Sequence, residues 1–108
     1  MKIEWRDVGT TSGTSVFYNT RKMICDDKGI LRVWIKSIEK DTSKPLAYSI
    51  DRIELNCRSS QMRTISRTKY GRDGRVLDSF AVPTPTWQDL TPDSLGESVW
   101  ETVCHKTL

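Results

Sequence analysis

Residues 53–82 constrain the fold more than any other stretch, because they read as successive antiparallel strands separated by tight breaks. Ile53, Leu55 and Cys57 alternate with Glu54 and Asn56, the two-residue period of a strand with one buried face. Arg58, Ser59, Ser60 and Gln61 form a polar break, and residues 62–70 resume with Thr, Ile and Tyr, which suit a pleated surface. Gly71-Arg72-Asp73-Gly74 then supplies the Gly and Asp-Gly chemistry of a tight hairpin. Val76, Leu77, Phe80, Ala81 and Val82 make the return strand, stopped by Pro83 and Pro85, which cannot donate to a ladder.

The flanking chain completes such a sheet. Residues 2–8 alternate as a first strand, residues 9–15 form a Gly/Ser/Thr-rich turn, and Ser-Val-Phe-Tyr at 15–18 is a short second strand. Residues 21–25 fit either a single helical turn or irregular chain, and Gly29 closes a turn that calls for positive φ. Residues 30–38 are the strongest strand: Leu31, Val33 and Ile35 on the core face, Arg32, Trp34 and Lys36 on the other. Residues 40–45 are a loop, and residues 47–57 lead into the opening strand. Residues 83–87 must be extended, because residues before proline avoid the helical region, and Trp87 and Leu90 are expected to tuck back onto the fold. Ser94 and Glu97 then have capping-box spacing, Asp93 and Glu97 suit the positive end of a helix dipole, and Lys106 suits the other end. Leu95, Val99, Trp100, Val103 and Cys104 fall on one face of that helix, about three turns long. The fold class is therefore α+β, mostly β: a meandering antiparallel sheet of five to six strands with one C-terminal helix on one face.

A chain of 108 residues is one domain, 1–108, and with 36% apolar residues its core is thin enough for a covalent staple to help. Three cysteines and a single histidine, His105, lack the ligands of a tetrahedral zinc site. Cys104 and His105, adjacent on a helix, point about 100° apart and make a poor catalytic dyad. Asp26-Asp27 reads as a solvated turn rather than a calcium site, so no metal or cofactor is expected, and no catalytic residues. Cys57 shares a strand face with Ile53 and Leu55, and Cys104 lies on the buried helix stripe. Helix-on-sheet packing thus predicts a Cys57–Cys104 disulfide, closing a loop that chain entropy values at about 4 kcal/mol. Cys25 is then the odd thiol. A disulfide points to the periplasm, the cell surface or the medium. The first residues hold no apolar leader, which suits either a cytosolic protein or a start placed after a removed signal, and no apolar run approaches the roughly 20 residues of a transmembrane segment.

Charge offers two candidate surfaces. Arg58, Arg63, Arg67, Lys69, Arg72 and Arg75 crowd the hairpin against only Asp73, whereas the charges of residues 76–101 are all acidic, Asp78, Asp89, Asp93, Glu97 and Glu101, an asymmetry that suits a ligand-binding surface or an ordinary solvated face. Arg63, Arg67 and Lys69 share parity with Ile65 and so lie on one face unless a bulge intervenes. Trp34, between Arg32 and Lys36, is either a ring shielded by aliphatic stems or an anchor for a partner or second subunit. Nucleic acid is not expected, since the basic patch lacks the interleaved aromatics of single-strand binders.

Five segments in order, Arg32-Val33-Trp34-Ile35-Lys36, Ile53-Glu54-Leu55-Asn56-Cys57, Tyr70-Gly71-Arg72-Asp73-Gly74-Arg75-Val76-Leu77, Trp87-Gln88-Asp89-Leu90-Thr91-Pro92-Asp93-Ser94 and the closing Val103-Cys104, resemble the surface-adhesin protein E-like domain family of Gram-negative bacteria. The resemblance covers residues 17–104. It implies a small exported domain with a strand-to-helix disulfide, and adhesin-like binding of extracellular-matrix or envelope proteins by a homodimer. It transfers no ligand-site residues, and Tyr18-Asn19 stands where the family has Tyr-Asp. The expected function is a non-enzymatic, exported binding module contacting protein or polyanionic partners. The alternative is a structural, envelope-associated homodimer with no host ligand.

Overall fold

The computed structural model describes residues 5–10, 13–19, 24–25 and 29–107. The expectations placed on residues 1–4, 11–12, 20–23 and 26–28, and on the side chains of Cys25, His105 and Lys106, lie outside the described residues. Along the chain run β1 (Trp5–Thr10), β2 (Thr14–Asn19), β3 (Ile24–Cys25), β4 (Ile30–Glu39), β5 (Leu46–Asn56), β6 (Gln61–Gly71), β7 (Val76–Ala81), β8 (Gln88–Asp89) and α1 (Leu95–Thr107). The strands form one antiparallel sheet in the order β1-β2-β4-β5-β6-β7. Short β3 continues the row of β2 along β4, and short β8 continues the row of β7 along β6. This is the α+β, mostly β meander with one C-terminal helix that the sequence implies. Neither two-residue strand has enough length to show a period.

Turn chemistry sets the strand ends. Gly74 takes φ 85° in the β6–β7 hairpin, where the Gly71 N–H donates to the Arg75 carbonyl at 2.8 Å, and Gly29 takes φ 80° before β4. Such angles are open to glycine at little cost. The helix starts on its capping box: Ser94 Oγ accepts the Glu97 N–H at 3.2 Å. The Glu97 carboxylate reaches back to the Asp93 N–H, also at 3.2 Å, one residue beyond the usual partner.

Alternation then sorts the sheet into two faces. Val16 and Tyr18 of β2, Leu31, Val33 and Ile35 of β4, and Ile53 and Leu55 of β5 are buried against Val99, Val103 and Cys104 of α1. Two further contacts hold the helix at the end of β5. The Cys57–Cys104 disulfide joins backbones 5.6 Å apart at the Cα atoms, and Trp100 Nε1 donates to the Asn56 carbonyl at 3.0 Å. The helix also comes close to β6, since a Cβ placed on Gly96 would lie 2.9 Å from Met62 Sδ. Among the described residues, the opposite face of the sheet carries no helix.

Candidate ligand-binding face

On the helix-free face the β4–β5–β6 register stacks side chains in cross-strand rows. Arg32 of β4, Glu54 of β5 and Arg63 of β6 are directly opposed. Glu54 is buried, and both of its oxygens are used: Arg32 Nε lies 2.6 Å from Oε2, and Arg63 Nη2 lies 2.7 Å from Oε1. Burial pushes the Glu54 carboxyl up, but the hydrogen bonds and charges of the two guanidiniums outweigh it and hold the group below the ordinary glutamate range. Arg63 in turn lies over the Trp87 ring, 4.4 Å from its centroid. Trp87 thus tucks back as expected, against the face away from the helix.

The next row pairs Trp34 with Arg52, whose guanidinium carbon is 5.6 Å from the Trp34 ring centroid. Arg32 and Lys36, the sequence neighbours expected to flank Trp34, are engaged elsewhere. Arg32 binds Glu54, while Lys36 Nζ sits 4.7 Å from the Tyr48 ring and 5.8 Å from Trp5. Tyr48 stacks on its cross-strand neighbour Tyr70, centroids 4.7 Å apart at an interplanar angle of 16°. Trp34 itself is 41% exposed.

Two concavities result. One, of about 300 Å³, is lined by Arg32, Arg52, Glu54, Arg63 and Ile65; three guanidiniums against one carboxylate leave two positive charges in excess. The other, of about 380 Å³, is lined by Trp5, Asn19, Trp34, Ile50 and Tyr70. Arg52 and Trp34 form the boundary between them.

The basic hairpin does not form one surface, and a bulge is the reason. Ile53 opposes Thr64 and Arg52 opposes Ser66, so Ile65 is an extra residue in β6. Parity reverses across it: Arg63 points to the helix-free face, and Arg67 and Lys69 to the helix side. Arg67 there grips buried Asp51 in a fork, Nη2 to Oδ2 at 2.7 Å and Nε to Oδ1 at 2.9 Å, and that bond raises the guanidinium's affinity for its proton. Lys69 opposes Asp78 across the ladder. Arg72 donates to the Lys44 and Asp41 carbonyls at 3.1 and 2.7 Å, and so fastens the β4–β5 loop. Arg75 lies at the exposed tip, 3.5 Å from Asp73. The structure therefore unites Arg63 with Arg32, Trp34 and Lys36, and adds Trp5, Tyr48, Arg52, Glu54, Tyr70 and Trp87. The signal for Arg52 and Glu54 was their place on β5 opposite in parity to Ile53 and Leu55; what joins them to Trp34 and Arg63 is the register.

Among the described residues no group of His, Cys, Asp and Glu could hold a metal ion, and no helix is long and apolar enough to cross a membrane. No curated protein and no solved structure matches the chain. A family does: residues 5–105 match the surface-adhesin protein E family, over the sheet, the disulfide and the helix alike. The chain belongs to the surface-adhesin protein E family and is an adhesin-like surface protein.

Proposed function

We propose that this chain is a non-enzymatic, exported binding module that meets its partner with the helix-free sheet face. The observation that carries the reading is the grouping of Arg32, Arg52 and Arg63 around a single carboxylate beside half-exposed Trp34. Excess positive charge next to an aromatic anchor suits an anionic partner, such as an acidic segment of an extracellular-matrix or envelope protein. Glu54, held as carboxylate by two guanidiniums, is poorly disposed to accept a proton, which argues against acid–base chemistry on this face.

Attachment of protein-coated particles to matrix-coated surfaces tests this reading. Wild-type particles should attach, and salt should release them. The Lys36→Ala/Arg52→Ala double variant should attach weakly. Equal attachment by both proteins would remove the helix-free face from consideration.

A homodimer is the second reading, and β7 favours it. This edge strand exposes Val76, Leu77 and Phe80, at 55, 52 and 43%. An apolar edge suits pairing with a second copy. Sedimentation of the wild type against Phe80→Lys checks it: a dimer lost in the variant supports the contact, and a monomeric wild type refutes it.

A further inference from the structure

We propose that the helix-free face binds an anionic glycan, with a sugar ring seated among Trp5, Trp34 and Tyr70 and its acid group held by Arg52 and Arg63. The proposal rests on the reading of this face as the binding surface and adds the chemical class of the ligand. The aromatic cleft, at about 380 Å³, falls within the roughly 300–1,000 Å³ of small-ligand sites. Beside Asn19 and Ile50 it is lined by the rings of Trp5, Trp34 and Tyr70, whose electron-rich faces attract the slightly positive C–H groups of a sugar. The adjoining cavity supplies what a neutral sugar would not need. Glu54 is saturated by Arg32 and Arg63, so the excess charge is available to a carboxylate or sulfate, and guanidinium forks match both.

The boundary between the cavities decides the class. Trp34 lines the aromatic cleft, Arg52 lines the charged one, and 5.6 Å separates guanidinium carbon from ring centroid. A ligand that fills both must carry a rigid C–H-rich ring and an anionic group within one repeat unit, as uronic, sialic and sulfated sugars do. Single-stranded nucleic acid stacks its bases on uncovered ring faces. Here Tyr70 and Trp34 each have one face covered, by Tyr48 and Arg52, and line the cleft with the rest, which a base or a sugar ring could meet alike, so an oligothymidylate probe has to separate the two. A surface protein meets glycans before it meets nucleic acid.

Calorimetry and tryptophan fluorescence with three probes test the proposal: a heparin hexasaccharide, its desulfated and carboxyl-reduced neutral form, and oligothymidylate. The charged hexasaccharide should bind and change the fluorescence, while the neutral form should bind far more weakly. Trp34→Ala and Arg52→Ala, both at exposed positions, should each weaken binding about tenfold or more, whereas Arg75→Ala at the hairpin tip should leave it unchanged. Three results would overturn the proposal: no hexasaccharide binding, binding indifferent to Trp34→Ala, or tighter oligothymidylate binding with the same residue dependence. Attachment to a deglycosylated protein surface that still depends on Arg52, with no hexasaccharide binding, would overturn the glycan assignment and leave the binding-face reading standing.

Discussion

Arg63 packs its guanidinium 4.4 Å from the centroid of Trp87 while it holds Glu54 at 2.7 Å. One side chain thus ties the chain segment after β7 to the middle of the sheet, through a ring contact on one side and a charge-assisted hydrogen bond on the other. Arg63→Ala removes both and leaves Glu54 with Arg32 alone, so it should cost about 1–3 kcal/mol. Arg63→Lys keeps the charge without the planar fork and should recover less than half of the loss. Urea denaturation followed by tryptophan fluorescence measures both; equal midpoints for wild type and Arg63→Ala would show the contact to be idle.

The disulfide makes a larger contribution. Cys57 and Cys104 are 47 residues apart in sequence. Closing such a loop restricts the unfolded chain by about 4 kcal/mol in the chain-entropy account. Cys104→Ser, or full reduction, should lower the unfolding free energy extrapolated from urea denaturation by an amount approaching that figure. The Trp100 bond to the Asn56 carbonyl and the buried Val99 and Val103 still hold the helix, so the reduced protein should keep its helical circular dichroism in the absence of denaturant. Loss of helix on reduction would mean that packing alone does not dock it.

Much of this was legible in the sequence because it is local. The faces of β4, the capping box and the Cys57–Cys104 pair follow from periods of two and 3.6 residues and a few caps. What escaped depends on register. The sequence offers Trp34 its neighbours Arg32 and Lys36, which lie two residues away, about 7 Å along a strand. Its partner is Arg52, a directly opposed neighbour of the kind that lies about 5 Å away. The basic hairpin divided for a related reason: Ile65 enters as a bulge that no run of residue types announces, and it sends Arg63 and Arg67 to opposite faces. β8 consists of two residues beyond a proline-rich stretch and shows no period at all.

Glu54 makes part of the stability depend on pH. Its folded pKa lies below the unfolded glutamate value of about 4.3, so its contribution is complete above that value and disappears as pH falls through the folded pKa. Glu54→Gln should therefore be less stable at neutral pH, by about 1–3 kcal/mol, with two guanidiniums facing an amide. The gap to wild type should narrow in acid, where protonated Glu54 resembles the amide. Urea midpoints at neutral pH and below about pH 4 check it, and a gap constant with pH would mean that the triad does not couple to protonation.

The bulge gives a sharper test of how the faces are assigned. Ile53 pairs with Thr64, Arg52 with Ser66 and Asp51 with Arg67, so deleting Ile65 leaves each of those pairs in place and regularises the ladder. Deleting Thr68 is different. The register through Lys69 and Tyr70 survives only if β6 slides one residue through the bulge, which turns Arg67 toward the helix-free face. Asp51, buried on the helix side, then loses its partner, and an uncompensated buried carboxylate costs about 3–5 kcal/mol. The Ile65 deletion should accordingly be the milder of the two in urea denaturation, although it removes a lining residue of the charged cavity and straightens the strand. If instead the Ile65 deletion unfolds the protein while the Thr68 deletion folds, Ile65 fixes the twist of β6, and the placement of Arg63 depends on the bulge itself rather than on its pairing with Glu54.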